Sequence, residues 1–363
     1  MEDLHVYKSL CIQSYKGNYQ AHFQQVISFD QLKDDMLLTS HFIIDANVAK
    51  LYPHQLEKIV NSASVLLIQA TEKNKSLEQF PRYVDHLVKN KIRRTHRLIA
   101  IGGGIIQDIT CFLAATLLRG VDWWFYPTTL LAQADSCIGS KSSVNCGETK
   151  NIFGTFTPPK QIFIFSEFLN TLNTIEVQSG VGEMLKVHAI ENPDSFDELS
   201  AVYDELFTDQ KMMLHYLRRS LEIKKNIIEQ DEFDQGVRNV MNYGHTFGHA
   251  IESATQYQIP HGVAVTIGMD MANYIAYHTN VTEKIHFDRM HPILKKNYHH
   301  FINHSISLKP FLQAISKDKK NTDRHEIATI LLDKNAMVIK HPLENNVFFQ
   351  EKCKQYLNEG RLL

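Results

Sequence analysis

The chain is poor in cysteine and tryptophan: its 363 residues include five Cys and two Trp. The cysteines (Cys11, Cys111, Cys137, Cys146 and Cys353) are odd in number and form no CxxC pair. That fits reduced thiols in a cytoplasm better than a disulfide framework. Charge of one sign is also lacking, since 38 Lys and Arg stand against 40 Asp and Glu. A near-neutral chain is no bulk-electrostatic nucleic-acid binder, although a local basic pocket for a small phosphorylated ligand remains open. No apolar run approaches the ~18 residues of a membrane span. The start, MEDLHVYKSL, has no basic segment leading into an apolar core, so no secretory signal is expected. Neither GxGxxG nor HExxH occurs.

What is present is alternation. FIIDAN (42–47), SVLLIQA (64–70), RLIAIGG (97–103) and DWWFYPT (122–128) are apolar runs bounded by polar, Gly or Pro punctuation, and they predict strands. Amphipathic stretches such as AKLYPHQLEKIVNSA and SLEQFPRYVDHLVKN separate them. This pattern predicts a Rossmann-like parallel sheet covered by helices, with ligands at the carboxyl ends of its strands. After Phe165 the patterns become long and helical: FDELSAVYDELF, KMMLHYLRRSLEIKKNIIEQD and VRNVMNYGHTFGHAIESA. Only ATILLD (328–333) reads as a further strand. The expected division is an α/β domain over 1–170 and a mostly α-helical domain over 171–363.

Two regions carry candidate chemistry. RLIAIGGGIIQD reads strand, glycine turn, helix; Gly102, Gly103 and Gly104 allow close backbone approach, and the helix start offers free N–H groups to a diphosphate. A plain tight turn is the competing reading. The following segment, 127–156, is rich in hydroxyls, amides and lysines, as phosphate and polyol recognition requires, or as a solvated loop would be. The second region is NYGHTFGHAIE, where His245 and His249 share a helix face at i,i+4 and His261 follows in IPHGVAV. Upstream, GEMLK puts Glu183 and Lys186 on one face. Imidazoles with a carboxylate suit a catalytic metal with open positions, whereas lone histidines are more often ordinary core or surface residues. The pair Trp123-Trp124 reads as sheet packing, and KKNYHHFINH (295–304) as a solvated helix face and loop.

Taken together, GGGIIQD, RGVDWWFYPTTLLAQADSCIGSK, KNIFGTF, GEMLK, RNVMNYGHTFGHAIE and HGVAV resemble the 3-dehydroquinate synthase and sugar-phosphate cyclase family over roughly residues 40–335. The resemblance implies a dehydroquinate synthase-like fold and a lyase using NAD and zinc or cobalt. It implies Glu183, His245 and His261 as metal ligands. NAD contacts would come from Asp45, Asn47, Glu72, Lys75, Gly103, Gly104, Asp108, Thr128, Thr129, Asp135, Lys141, Lys150, Thr171, Leu172 and Glu176. Substrate groups would be met by Arg119, Asp135, Lys141, Lys150, Asn151, Lys186, Lys224, Arg238, Asn242, His249 and Lys320. The implied reaction converts 3-deoxy-D-arabino-heptulosonate 7-phosphate to 3-dehydroquinate and phosphate in the shikimate route, by transient oxidation, β-elimination, re-reduction and aldol closure. The resemblance further implies a cytoplasmic homodimer acting on a phosphorylated sugar acid, with no nucleic acid and no membrane involved.

Departures from the family pattern are Gln107 in place of Gly before Asp108, Gly139-Ser140-Lys141-Ser142 in place of GGKT, Thr71 in place of Gly, and Cys146-Gly147-Glu148 in place of a proline-containing turn. They keep a sibling cyclase of sedoheptulose 7-phosphate or another sugar phosphate in view, whereas Arg238 favours a substrate carboxylate. A metal-dependent NAD polyol dehydrogenase is a further alternative, disfavoured by the lysine set. A non-catalytic member is disfavoured by the complete ligand set.

Overall fold

A computed structural model describes residues 8–62, 64–317 and 326–363. They fall into two compact units: 1–172 with 217–233, and 173–216 with 234–363. The second half of helix Gln210–Ile228 and the segment after it belong with the first unit.

The first unit is built on a seven-stranded sheet of order β1-β2-β9-β6-β5-β3-β4. The strands are β1 (Leu10–Ile12), β2 (Tyr19–Gln24), β3 (Ser40–Asp45), β4 (Val65–Ile68), β5 (Arg97–Gly102), β6 (Asp122–Pro127) and β9 (Gln161–Phe165). All neighbours are parallel except the edge pair β1–β2. Helices Ala46–Leu51 and Pro53–Val60 cover one face, burying Val48, Leu56 and Ile59 against Phe42, Ile44, Ile99, Ile101 and Phe165. Parallel strands buried on both faces need continuous apolar runs, which is why β3 and β5 read clearly in the sequence.

The segment 127–156, read above as a loop, contains a helical turn at Ala132–Ser136 and a hairpin of β7 (Val144–Cys146) and β8 (Thr149–Phe153). Strands β1, β2 and β9 were not expected.

In the second unit, helices Thr174–Glu191, His261–His278 and Lys284–Asn297 pack together with helix His245–Ala254. The expected strand is β10 (Glu326–Leu332); it pairs antiparallel with an unexpected β11 (Val338–Glu344), a two-stranded ribbon that tolerates Pro342. The stretch VRNVMNYGHTFGHAIESA is not one helix. A 3₁₀ segment, Val237–Asn242, is followed by Gly244 at φ +76°, and the α-helix begins at His245. A Cβ at Gly244 would stand 2.6 Å from Val265 O, so glycine serves both the left-handed turn and the close approach to helix His261–His278. In 295–304, Asn297 and Tyr298 are buried rather than solvated. Among the described residues no helix is long and apolar enough to cross a membrane.

Candidate active-site residues of the two units

The second unit brings four predicted residues to one place. A Cβ on Gly262 would lie 1.8 Å from Ser179 O, so the helices bearing Glu183 and His261 approach backbone to backbone. Glu183 is 1% exposed. Its Oε1 receives no hydrogen bond from the described residues, yet His261 Nε2 stands 3.4 Å away and His245 Nε2 3.8 Å away. Lys186, equally buried, pairs with Oε2.

Both imidazoles are turned by contacts on their other nitrogen. His245 Nδ1 is 3.2 Å from the Tyr243 carbonyl, and His261 Nδ1 is 3.2 Å from Glu252 Oε2. Each Nδ1–H therefore has an oxygen to donate to, which leaves the Nε2 lone pairs for the position beside Glu183 Oε1. Burial, aided by Lys186 and the neighbouring histidines, holds the His245 pKa well below its usual value, so this imidazole is neutral. Burial acts to raise the Glu183 pKa, but Lys186 and His261 outweigh it and keep the carboxyl ionised. Burial acts to lower the His261 pKa, and Glu183 and Glu252 outweigh it, pushing it up to about 10. A proton on His261 is one way to balance these two carboxylates; a divalent cation at Nε2 is the other. The orphaned Glu183 oxygen and two oriented Nε2 atoms fit zinc or cobalt.

His249 is exposed, and one ligating nitrogen from each of His245, His249 and His261 lies within 4.8 Å of the others. Arg238 is buried in the 3₁₀ segment, and Asn242 Nδ2 donates to Asn239 O at 3.1 Å. Glu176 caps its own helix, accepting from Asn173 N at 2.9 Å. The oxygens of Glu252 and of the Tyr243 backbone were missed in the sequence. The only available signal was that Glu252 falls seven residues, two helical turns, after His245.

In the first unit, Gly103 follows β5 and caps helix Gly104–Thr116; a Cβ there would meet Thr129 Cγ2 at 2.9 Å. Thr128 N donates to Gly102 O at 3.0 Å, so the glycine turn and the threonines lie together at the carboxyl ends of β5 and β6. Beside them, Lys75 is buried. It pairs with Asp108 at 3.1 Å and donates to Asn151 Oδ1 at 3.0 Å, with Glu72 Oε1 at 3.6 Å. Ser143 fixes Asp108 through its amide at 2.9 Å and its hydroxyl at 3.0 Å. Asn145 Nδ2 donates to Glu72 Oε2 at 2.8 Å, which draws hairpin β7–β8, carrying Lys150, into the same network. Asp45 ends β3 and caps the next helix through Asn47 N at 2.9 Å; burial raises its pKa against that bond. Asn47 is exposed at the helix start. Thr171 Oγ1 and Tyr52 OH are 3.0 Å apart, and Leu172 follows. Asp135 pairs with the buried Lys224 at 2.8 Å, while Lys141 is exposed.

Two residues do not join these groups. Arg119 follows the carboxyl end of helix Gly104–Thr116, some 20 Å of helix from Gly103 by the ~1.5 Å rise per residue. Lys320 lies outside the described residues. The departures have local partners. Gln107 donates to Ser136 O at 2.6 Å and accepts from Ser136 Oγ at 2.6 Å, bracing the residue after Asp135. Ser142 Oγ accepts from Thr155 N at 3.0 Å.

The family model described as 3-dehydroquinate synthase N-terminal matches residues 65–179, and its C-terminal counterpart matches 180–321. A 3-dehydroquinate synthase of Thermoanaerobacter pseudethanolicus is 34% identical over 307 residues, which is 82% of this chain and 86% of that protein. A 2-deoxy-scyllo-inosose synthase structure complexed with carbaglucose-6-phosphate, NAD+ and Co2+ shares the fold at a TM-score of 0.81, with 21% identity over 97% of this chain and 100% of the other. The 2-epi-5-epi-valiolone synthase of Streptomyces hygroscopicus, with NAD+ and Zn2+ bound, aligns at a TM-score of 0.80 and 26% identity over 94% and 97% of the two chains. By sequence over most of its length, and by the fold that carries it, this chain belongs to the 3-dehydroquinate synthase family.

Proposed function

We propose that this chain is a 3-dehydroquinate synthase that converts 3-deoxy-D-arabino-heptulosonate 7-phosphate to 3-dehydroquinate and phosphate. The observation that carries the reading is the 34% identity spanning 86% of a relative with that activity in its name. The donor set of Glu183, His245 and His261 supports it, as does a buried arginine, Arg238, at the position the resemblance assigns to a substrate carboxylate. The first unit would take NAD along Asp45, Gly103, Asp108 and Thr128, and the second would take zinc or cobalt. A bound NAD supplies a reversible hydride acceptor, and a bound divalent cation polarises a substrate hydroxyl.

The remaining work falls to side chains of this chain. Lys141 and Lys150 offer charge to a phosphate dianion. Lys186 and Lys224 are each neutralised by a carboxylate, Glu183 and Asp135, so they orient substrate oxygens more than they add net charge. His249 can hold or pass a proton. The reading includes a cytoplasmic homodimer, which sedimentation of the purified protein tests.

A second reading, cyclisation of a sugar phosphate without a carboxylate, is favoured by the valiolone synthase likeness. One experiment separates the two. Purified protein with NAD and zinc or cobalt is given 3-deoxy-D-arabino-heptulosonate 7-phosphate, and phosphate release is followed together with NADH absorbance. Chelator-sensitive release at constant NADH is expected. Release from sedoheptulose 7-phosphate alone would overturn the first reading in favour of the second, and net NADH accumulation from a polyol would overturn both.

A further inference from the structure

Ser140 departs from the family's glycine, and the structure shows what that departure demands. It has φ +67°, immediately after Gly139 at φ +109°. Glycine enters this region freely, whereas an L-residue with a Cβ does so at a cost. Ser140 is 6% exposed, and its hydroxyl donates to Glu232 Oε1. The same carboxylate accepts from Ser14 Oγ at 2.7 Å and from Tyr15 N at 3.0 Å.

Other contacts converge on the same few residues. Gly139 N donates to the buried Tyr19 hydroxyl at 3.1 Å. Lys16 Nζ donates to Thr157 Oγ1 at 3.1 Å, and Thr157 N donates to Ser140 O at 2.7 Å. Phe233, next to Glu232, packs on the rings of Tyr15 and Phe156 with centroids 5.1 Å away in each case. The two residues that set the direction of Lys141 are thus held by the β1–β2 hairpin and Glu232. That hairpin precedes residue 65, where the family match begins.

We propose that Glu232, with Ser14 and Tyr15 of the β1–β2 hairpin, is a positioning clasp that holds Ser140 in its left-handed conformation and so aims Lys141 at the substrate phosphate. The inference rests on the reading of Lys141 given above. Glu232 touches no substrate in this scheme; it acts through the backbone of Ser140.

The clasp and mere packing predict opposite orders for two substitutions. Ser140→Ala deletes the hydroxyl but keeps the Cβ that makes the conformation costly. Ser140→Gly deletes both the hydroxyl and the cost. The full chain is assayed as S140A, S140G, E232Q and E232Q/S140G, by hydrogen exchange across 139–142 and by steady-state kinetics on whichever sugar phosphate the wild type turns over. In S140A, exchange should quicken roughly ten-fold at an unchanged urea midpoint. KM should rise about five-fold with kcat little changed. S140G should be perturbed less on both counts, and E232Q/S140G should recover KM relative to E232Q. Equal or greater damage in S140G would overturn the proposal, as would faster exchange with no change in KM. If E232Q fails to fold, the S140A and S140G pair decides alone. If the wild type turns over no sugar phosphate, the proposed function fails, and the exchange order of S140A against S140G still upholds or overturns the clasp.

Discussion

The Nδ1 of His261 lies 3.2 Å from Glu252 Oε2 and its Nε2 lies 3.4 Å from Glu183 Oε1, so one imidazole stands between two carboxylates. Only one of them, Glu183, belongs to the set expected to bind metal; the other orients the ring. Glu252→Gln should weaken zinc binding about 10–100-fold, as loss of an outer-shell carboxylate does. A competitive titration against a chromophoric chelator reads this without reference to catalysis. Unchanged affinity would mean that His261 is oriented by packing alone.

Gly262 is the point where two helix backbones meet. A methyl group there collides with Ser179 O, which cannot retreat as a flexible side-chain end could. Gly262→Ala should cost roughly 1–3 kcal/mol of stability in urea unfolding. It should also separate His261 from Glu183 and lower zinc affinity in the same titration.

In the first unit, at the amino ends of β3 and β5, His41 is buried with Nδ1 2.7 Å from Ser64 Oγ and Nε2 2.9 Å from His96 Nδ1. Burial, and then the charges of His96 and His86, lower its pKa to about 4. A histidine pKa depressed by folding stabilises the native state above the unfolded value of ~6.5, and that contribution is lost as pH falls through 4. Stability should therefore drop by up to roughly 3 kcal/mol between pH 6.5 and 4 on this account. His41→Gln should flatten that part of the curve by about one proton. Parallel pH profiles for wild type and variant would refute the assignment.

Asp270 is fully buried and accepts from Tyr298 OH and Tyr356 OH at 2.7 Å each, with His291 Nδ1 at 2.9 Å. Tyr356 comes from the carboxyl-terminal helix Val347–Asn358, so this carboxylate ties the end of the chain into the second unit. Tyr356→Phe should cost about 1 kcal/mol. Asp270→Ala, which leaves His291 and both hydroxyls without their partner, should cost about 3–5 kcal/mol. Thermal melts of the two variants check the order.

The parts legible in the sequence are those whose signal is local. β3, β5 and β6 are unbroken apolar runs, and His245 and His249 advertise themselves by helical spacing. What was missed depends on distant partners. β2 becomes a strand because β9, some 140 residues later, lies beside it. Glu252 looks like any solvent-facing acid on an amphipathic helix until His261 folds onto it. Gly244 reads as a tolerable glycine within a helix, and only the nearness of Val265 explains why the chain turns there. Lys75 enters the expected site only through the family resemblance, and nothing local in TEKNKSLE foretells its burial among Asp108, Asn151 and Glu72.

The pairing of β2 with β9 also orders events in time. Gln20 sits opposite Gln161, and β9 in turn bridges to β6. A ribosome adding roughly 5–20 residues per second needs about 7–30 s to travel between those two positions. Throughout that interval β2 lacks its parallel partner, and once residue 127 has been added β6 waits for the same strand. Nascent chains arrested before residue 161 should therefore depend on chaperones and resist independent folding, whereas release a few residues past Phe165 lets the sheet close.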